Sequence, residues 1–285
     1  MNAHSLLKAG ARRLERAGRP HAQHEVEWLL GHMLSLESPE LYLHDERIPS
    51  KVIHQFWRKL EARLAGAPLQ YLLEETAFYG ATFSVSPGVF IPRPETEQVV
   101  EAALEALQEL EGRLRRPLRL LDVGTGSGCI AITLARHLPT CVVVGLELSW
   151  SALAVARNNV LRQGLNSRVR LIQGRGLEAI QGRVDGVISN PPYIPSAQVD
   201  RLPLDVRQEP RLSLDGGADG LDTLRALLAE APRALHPGGL IALECGEQQV
   251  SELLQIVSGM AWVERATPVH DLADRPRGVL VWSLT

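Results

Sequence analysis

The stretch "LDVGTGSGCIAITLA", Leu121 to Ala135, decides how the rest of the chain reads. Apolar residues run up to Asp122, glycines follow at 124, 126 and 128, and a helical run begins at Cys129. A strand handing over to a helix through such a loop is the signature unit of a doubly wound sheet, and ligands sit at that turn. Glycine there removes Cβ atoms, so that backbone can approach a ligand closely. The spacing is Asp-x-Gly-x-Gly-x-Gly. It departs from the G-x-G-x-x-G dinucleotide fingerprint, because Cys129 stands at the third glycine position. The absence of a Walker lysine argues against a nucleoside triphosphate.

Downstream the alternation continues. "CVVVGLEL" reads as a strand and "SWSALAVARNNVLRQG" as a helix stopped by Gly164. "RVRLIQG" and "VDGVISN" are strands, "GLDTLRALLAEAPRAL" a helix, "GGLIALEC" a strand and "EQQVSELLQIVSG" a helix. This order predicts an α/β, doubly wound parallel sheet covered by helices. The last two strands, "WVERATPV" and "GVLVWSLT", follow each other without a helix and predict an antiparallel pair at one edge.

Upstream, residues 1–66 read as helices only. Leu6, Leu7, Ala11 and Leu14 form one stripe, and Val26, Leu29, Leu30, Met33 and Leu34 a second. A third helix runs from a candidate cap at Ser50 to Gly66. Residues 67–94 carry β-formers on both sides of Ser86-Pro87-Gly88, which predicts a hairpin linker turning there. Pro94 then opens a helix with acids in its first turn. The expected domains are thus 1–66, 67–94 and 95–285.

Composition narrows the partners. With 45% hydrophobic and 22% charged residues the chain is an ordinary globular one, and no apolar run is long enough for a bilayer. The N-terminus is too charged for a signal peptide. A net charge of −3 without a basic stripe argues against nucleic acid held by its phosphates. Cys129, Cys141 and Cys245 are scattered through apolar runs, which suits neither a disulfide framework nor zinc and points to a reducing cytoplasm. His21 and His24 share a helix face, but no further ligand joins them, so no metal site is expected.

Glu147 ends the second strand, about twenty residues beyond the loop, where an acceptor for ribose hydroxyls is expected. Together with Asp122 and the glycines it points to an adenosine-containing cofactor, although Glu147 also reads as a plain acid at a helix N-terminus. The fourth strand then runs into "SNPPYIP", Ser189 to Pro195, at the same edge of the sheet. Two prolines make a stiff turn that continues neither strand nor helix. Moving a methyl group from a sulfonium to a planar nitrogen needs placement more than a strong base. Asn190 offers a side-chain carbonyl, Pro191 a backbone carbonyl fixed by the ring of Pro192, and Tyr193 a flat face for a planar group.

The glycine loop and Asn-Pro-Pro-Tyr together resemble an S-adenosylmethionine-dependent methyltransferase acting on an amino nitrogen. "GAPLQYLL", "FIPRPETEQVV", "EPRLSLDGGADGL" and "LECGEQQ", in this order, make the chain similar to the HemK/PrmC family of protein-(glutamine-N5) methyltransferases. The resemblance implies a seven-stranded class I methyltransferase domain behind a helical domain that recognises the substrate. It implies transfer of a methyl group from S-adenosyl-L-methionine, leaving S-adenosyl-L-homocysteine, to the glutamine of a Gly-Gly-Gln motif in class I peptide-chain release factors. Gly124, Thr125, Gly126 and Gly128 would then line the cofactor and Glu147 hold its ribose. Asn190, Pro191, Pro192 and Tyr193 would bind the glutamine amide, near Arg93 and Glu97 of the "RPETE" segment. One departure stands out: Arg175 occupies the position where an acid is expected beside the adenine, leaving either backbone or Glu178 for that task. Glu209 and Glu244 are further acids that approach the site in sequence order, and Glu244 reads equally well as structural.

Three rival readings are weaker. A nucleic-acid amino-methyltransferase acting on adenine N6 or guanine N2 would share both motifs but needs a phosphate-binding face. An NAD-linked oxidoreductase needs the missing third glycine, and an idle cofactor-binding adaptor leaves the acceptor-gripping residues without a use. A monomer is the default expectation.

Overall fold

The computed structural model describes residues 1–285. The chain divides into two compact units, Met1–Glu75 with Pro203–Gln208, and Thr76–Leu202 with Glu209–Thr285.

The first unit is helical: α1 (Ala3–Arg16), α2 (Ala22–Leu34), α3 (Ser38–Leu43), α4 (Ser50–Leu64) and α5 (Leu69–Leu73). Asn2 caps α1 by accepting the Ser5 N–H at 3.1 Å. The apolar stripes of α1, α2 and α4 meet in one core that buries Leu6, Leu14, Val26, Leu30, Phe56 and Leu60. Arg63 is 7% exposed, and its charge is matched by both oxygens of Glu25 (2.7 and 2.8 Å) and by Asp205 at 3.2 Å. A buried guanidinium needs such partners, because an unpaired one costs several kcal/mol.

The expected break after residue 66 lies inside this unit, because Leu72 and Leu73 of α5 pack on the helical core. The hairpin also sits earlier than the sequence predicts. Its strands are β1 (Glu75–Phe78) and β2 (Ala81–Ser84), and it turns at Tyr79-Gly80, not at Ser86-Pro87-Gly88. Tyr79 and Gly80 have φ of 47° and 69°, the two positive values that a tight hairpin turn requires. Ser86 does make a local turn, accepting from Val89 N at 3.1 Å. No strand can follow it, since Pro87, Pro92 and Pro94 lack backbone donors.

The second unit continues with α6 (Pro94–Leu114), β3 (Arg119–Val123), α7 (Cys129–His137), β4 (Val142–Glu147), α8 (Trp150–Arg162), β5 (Val169–Gln173) and β6 (Val184–Ser189). After α9 (Ser196–Val199) come α10 (Asp222–Ala234), β7 (Leu235–Glu244), α11 (Val250–Ser258), β8 (Val263–His270) and β9 (Pro276–Ser283). The seven strands lie in the order β5-β4-β3-β6-β7-β9-β8. The first five are mutually parallel, and β9 runs antiparallel to both its neighbours, so the sheet is mixed. The final pair takes one edge as expected, with the last strand inserted inside β8.

Side chains alternate between the faces with the strand period of two. Leu120, Ile188, Leu240 and Ala242 join the core under α6 and α7, while Leu121, Val187, Ile241 and Leu243 join the core under α10 and α11. That parity extends to the strand ends. Asp122, Asn190 and Glu244 share the even parity of Leu120, Ile188 and Ala242, which is the α6–α7 side. The three cysteines are free and buried, Cys129 at the start of α7, Cys141 before β4 and Cys245 after β7. No helix is long and apolar enough to cross a membrane.

Candidate active site

The strands β3, β4, β6 and β7 end along one edge, and each delivers part of the site there. At β3 the chain turns through the glycine loop. The N–H groups of Gly124 and Thr125 both donate to Leu146 O of β4, at 2.8 and 2.9 Å, which seats the loop on the neighbouring strand. Gly124 and Gly126 have φ of 75° and 56°, and a Cβ at Gly124 would meet no atom within 4 Å. Only glycine takes these angles without strain, and the space a side chain would fill is left open.

Asp122 lies beneath the loop, fully buried. One carboxylate oxygen accepts from the Thr125 hydroxyl and from Ala131 N at 2.9 Å, while Oδ1 has no partner in the chain. Burial pushes its carboxyl up to about 7, and the two donors hold it from rising further. Glu147, at the end of β4, accepts from Gly126 N at 3.0 Å and Ser149 N at 2.9 Å. Its carboxylate is therefore fixed against the rim of the open glycine cradle. Arg175 and Glu178 lie exposed in the bend and turn after β5, and neither side chain enters a hydrogen bond.

At β6 the chain enters Asn190-Pro191-Pro192-Tyr193. The Asn190 Nδ2 donates to the Thr96 hydroxyl in the first turn of α6, at 2.9 Å. The amide is thereby oriented, and Oδ1 is left unengaged beside Pro191, whose carbonyl accepts no hydrogen bond within the chain. Tyr193 donates its hydroxyl to Glu244 Oε1 at 3.2 Å. Burial, and then the negative charge of Glu244, raise that phenol above its usual range.

The stiff turn is braced from behind by the segment that follows it. Ile194 exchanges backbone hydrogen bonds with Leu214 (3.0 Å) and Gly216 (2.9 Å). A Cβ at Gly216 would lie 2.7 Å from Pro192 O, and one at Gly220 would lie 2.2 Å from Tyr193 O. The glycines of "LDGGADGL" are thus required by close backbone approach to the Pro-Pro-Tyr turn. Gln249 adds a staple, donating to Tyr193 O at 2.9 Å while its own Oε1 accepts Gly246 N at 2.8 Å.

Arg93 and Glu97 sit in this region but are engaged elsewhere. Arg93 pairs with the buried Glu209 and stacks over Phe90 at 4.9 Å, and Glu209 also accepts Ile91 N at 2.9 Å. Glu97 accepts Tyr79 N at 2.8 Å and so anchors the hairpin turn. Sequence reasoning missed Thr96, between two more conspicuous acids, and left Glu244 undecided. It also missed Asn159 of α8, 1% exposed, which binds Ser84 through both N–H and carbonyl and donates to Ser127 O at 2.8 Å. Strand parity was the available signal for Glu244, since β6 and β7 pair Ser189 with Leu243 and so bring Asn190 level with Glu244.

Two family models match the chain: the PrmC N-terminal domain over residues 5–73 and the methyltransferase small domain over residues 80–203. Among solved structures, a methyltransferase from Pyrococcus furiosus aligns with a TM-score of 0.51 at 21% identity, covering 73% of this chain and 92% of that one. The hMettl16 catalytic domain aligns at 0.56 and 17% identity, covering 80% and 82%. These likenesses show the fold, that of a class I methyltransferase. Closer in sequence is the release factor glutamine methyltransferase of Moorella thermoacetica, 41% identical over 284 residues and 99% of each chain. Those of Bradyrhizobium diazoefficiens (38%, 96% of this chain and 93% of that) and Geobacter sulfurreducens (40%, 93% and 90%) agree. With relatives this similar along nearly the whole chain, and with its glycine cradle and Asn-Pro-Pro-Tyr turn side by side, the protein belongs to the release factor glutamine methyltransferase family.

Proposed function

We propose that this enzyme methylates the side-chain amide nitrogen of the glutamine in the Gly-Gly-Gln motif of class I peptide-chain release factors, with S-adenosyl-L-methionine as donor. The observation that carries the reading is the fixed Asn190 amide: its nitrogen is held by Thr96, and its oxygen is free beside the Pro191 carbonyl. Two acceptors set side by side suit a group with two N–H bonds on one planar nitrogen. Gripping both turns the nitrogen lone pair toward the donor, and such orientation is worth several kcal/mol of barrier. Tyr193 walls the pocket, and its raised phenol stays protonated, so it brings no competing charge.

The cofactor-side residues fit the donor. The open space over Gly124 and Gly126 admits a ligand against bare backbone, and Asp122 Oδ1 is a buried acceptor without a partner. Glu147 would hold the ribose, with Thr125 and Gly128 shaping the loop. When bound, S-adenosyl-L-methionine supplies an activated methyl group, so the chain's own task is to hold the acceptor and exclude water. Arg93 and Glu97 act in this reading as braces of the site's wall.

We assign the helical region to recognition of the release factor and the cytoplasm, where translation takes place, as the site of action; a monomer needs no further subunit to complete these residues. The test is to incubate the protein with S-adenosyl-L-methionine and a purified class I release factor, then map the Gly-Gly-Gln peptide by mass spectrometry. One added methyl group on the glutamine is expected. Methyl groups appearing on added RNA or DNA instead would transfer the function to the nucleic-acid reading.

A further inference from the structure

We infer that Glu244 and Thr96 are positioning residues, forming a hydrogen-bond relay that decides which end of the Asn190 amide faces the acceptor. The inference rests on the reading of the acceptor site given above and goes beyond it. A hydroxyl has one proton to donate. Thr96 already accepts the Asn190 Nδ2 proton at 2.9 Å, so its own proton must go elsewhere, and the carboxylate within its reach is Glu244. Glu244 also receives the Tyr193 hydroxyl at 3.2 Å. An ionised carboxylate only accepts, so the direction of both bonds is imposed from the buried end of the relay. Direction then passes outward: Thr96 donates inward, Asn190 donates to Thr96, and Asn190 Oδ1 is left pointing at the acceptor.

Reversal follows from the same inventory. A protonated Glu244 carries a proton of its own and can donate to Thr96. Thr96 would then donate to Asn190, whose amide turns to offer Oδ1 inward and NH₂ outward. Two donors would meet where the substrate also brings N–H groups, and the grip is lost. Glu244 is 2% exposed and its Oε2 has no partner, so burial outweighs the two donors that favour the ionised form. Besides Tyr193 and Thr96, Glu95 of α6 raises its carboxyl and Arg277 of β9 lowers it, while burial dominates and brings it to about 7. The neighbouring Cys245 thiol is pushed up to about 12 and is neutral throughout this range.

The experiment uses the full chain with three substitutions, Thr96→Ser, Thr96→Val and Glu244→Gln. Ser keeps the hydroxyl, and Val keeps the shape while ending the relay. The T96V enzyme is expected to lose about tenfold to a hundredfold in kcat relative to T96S, the effect of one unmatched buried polar group. Its calorimetric Kd for S-adenosyl-L-homocysteine should stay within about twofold, since the glycine cradle is untouched. A Gly-Gly-Gln peptide, titrated onto the cofactor-free protein at pH 8, should bind about tenfold more weakly to T96V than to T96S. Gln at 244 carries no titrating group, so the acid fall of peptide binding to the cofactor-free protein near pH 7 should vanish in E244Q. Asp122 titrates in the same region on the cofactor side, which is why peptide binding, and not kcat/KM, carries the test. T96V equal to T96S, or an acid fall of peptide binding that survives in E244Q, overturns the relay. Absence of methyl transfer by the wild-type protein would instead overturn the site reading beneath it.

Discussion

Asp122 and Glu244 lie at the ends of two strands of one sheet on the same face, both buried and both pushed up to about 7, yet they are built into the molecule in opposite ways. The partners of Asp122 lie three and nine residues away, in its own loop and the helix that follows. Glu244 accepts from Tyr193, 51 residues back, and, in the relay inferred above, from Thr96, whose own bond to Asn190 spans 94 residues. The cofactor half of the site is thus a local product of one βα turn. The acceptor half exists only once α6, β6 and β7 have come together. Local contacts form at small entropic cost, whereas distant ones need loops to close first. Damage at a distance should therefore reach the acceptor half and spare the cofactor half.

The sharpest way to break this contrast is Asn190→Ala. Turnover should fall by about a hundredfold to a thousandfold, comparable with deleting one oriented polar group from an active site. The Kd for S-adenosyl-L-homocysteine should not move, and a matching loss of cofactor affinity would show that the halves are one unit.

Gly220→Ala comes next. Its Cβ would stand 2.2 Å from Tyr193 O on a backbone with φ of 83°, so the turn must shift. A loss of about 2 kcal/mol in stability is expected, with kcat falling about tenfold, from strain of this kind. Urea unfolding and steady-state kinetics measure the two parts; a variant with full kcat would mean that the brace does not set the turn's geometry.

Glu147→Ala tests the local half alone. Losing the carboxylate should weaken the cofactor by about tenfold, the worth of a charge-assisted hydrogen bond, while kcat at saturating cofactor stays near wild type. Calorimetry decides it, and an unchanged Kd removes Glu147 from the ribose role.

The smallest effect concerns pH and stability. Both carboxyls are raised above the ordinary value near 4, so the folded chain binds more protons than the unfolded one between there and about 7. Their contribution to stability is complete below about pH 4 and is lost as pH rises through about 7. Asp122→Asn and Glu244→Gln should each flatten the decline of Tm between about pH 5 and pH 8. Two parallel wild-type-like slopes would mean that neither carboxyl is raised as described.

Legibility from sequence follows the same division. The glycine loop, Glu147 and the strand–helix alternation rest on short-range patterns and could be read directly. The Asn-Pro-Pro-Tyr turn could be read as chemistry, but its supports could not. Gly216, Gly220 and Gln249 have no local reason to be what they are until the turn lies against them. Thr96 reads as one more polar residue in the first turn of a helix, and only strand parity carried across β6 and β7 brings Glu244 under it. Composition misplaces the hairpin turn because Ser86-Pro87-Gly88 has the stronger turn residues, whereas Tyr79 takes a positive φ that its residue type does not announce. Arg93 and Glu97 are expected at the substrate only through the family segment they belong to, and the structure joins them to Glu209 and to the hairpin.

The buried cysteines follow the two halves closely enough to serve as built-in reporters. Cys129 begins the helix after the glycine loop, and Cys245 sits next to Glu244; burial pushes each thiol up to about 12. Neither offers a thiolate to an alkylating reagent while its surroundings stay closed. Labelling must then wait for local opening, and its rate at each sulfur becomes a clock for one half of the site. Cofactor should slow the clock at Cys129, and a Gly-Gly-Gln peptide the one at Cys245, so the natural chain carries a separate timer for each of its two ligands.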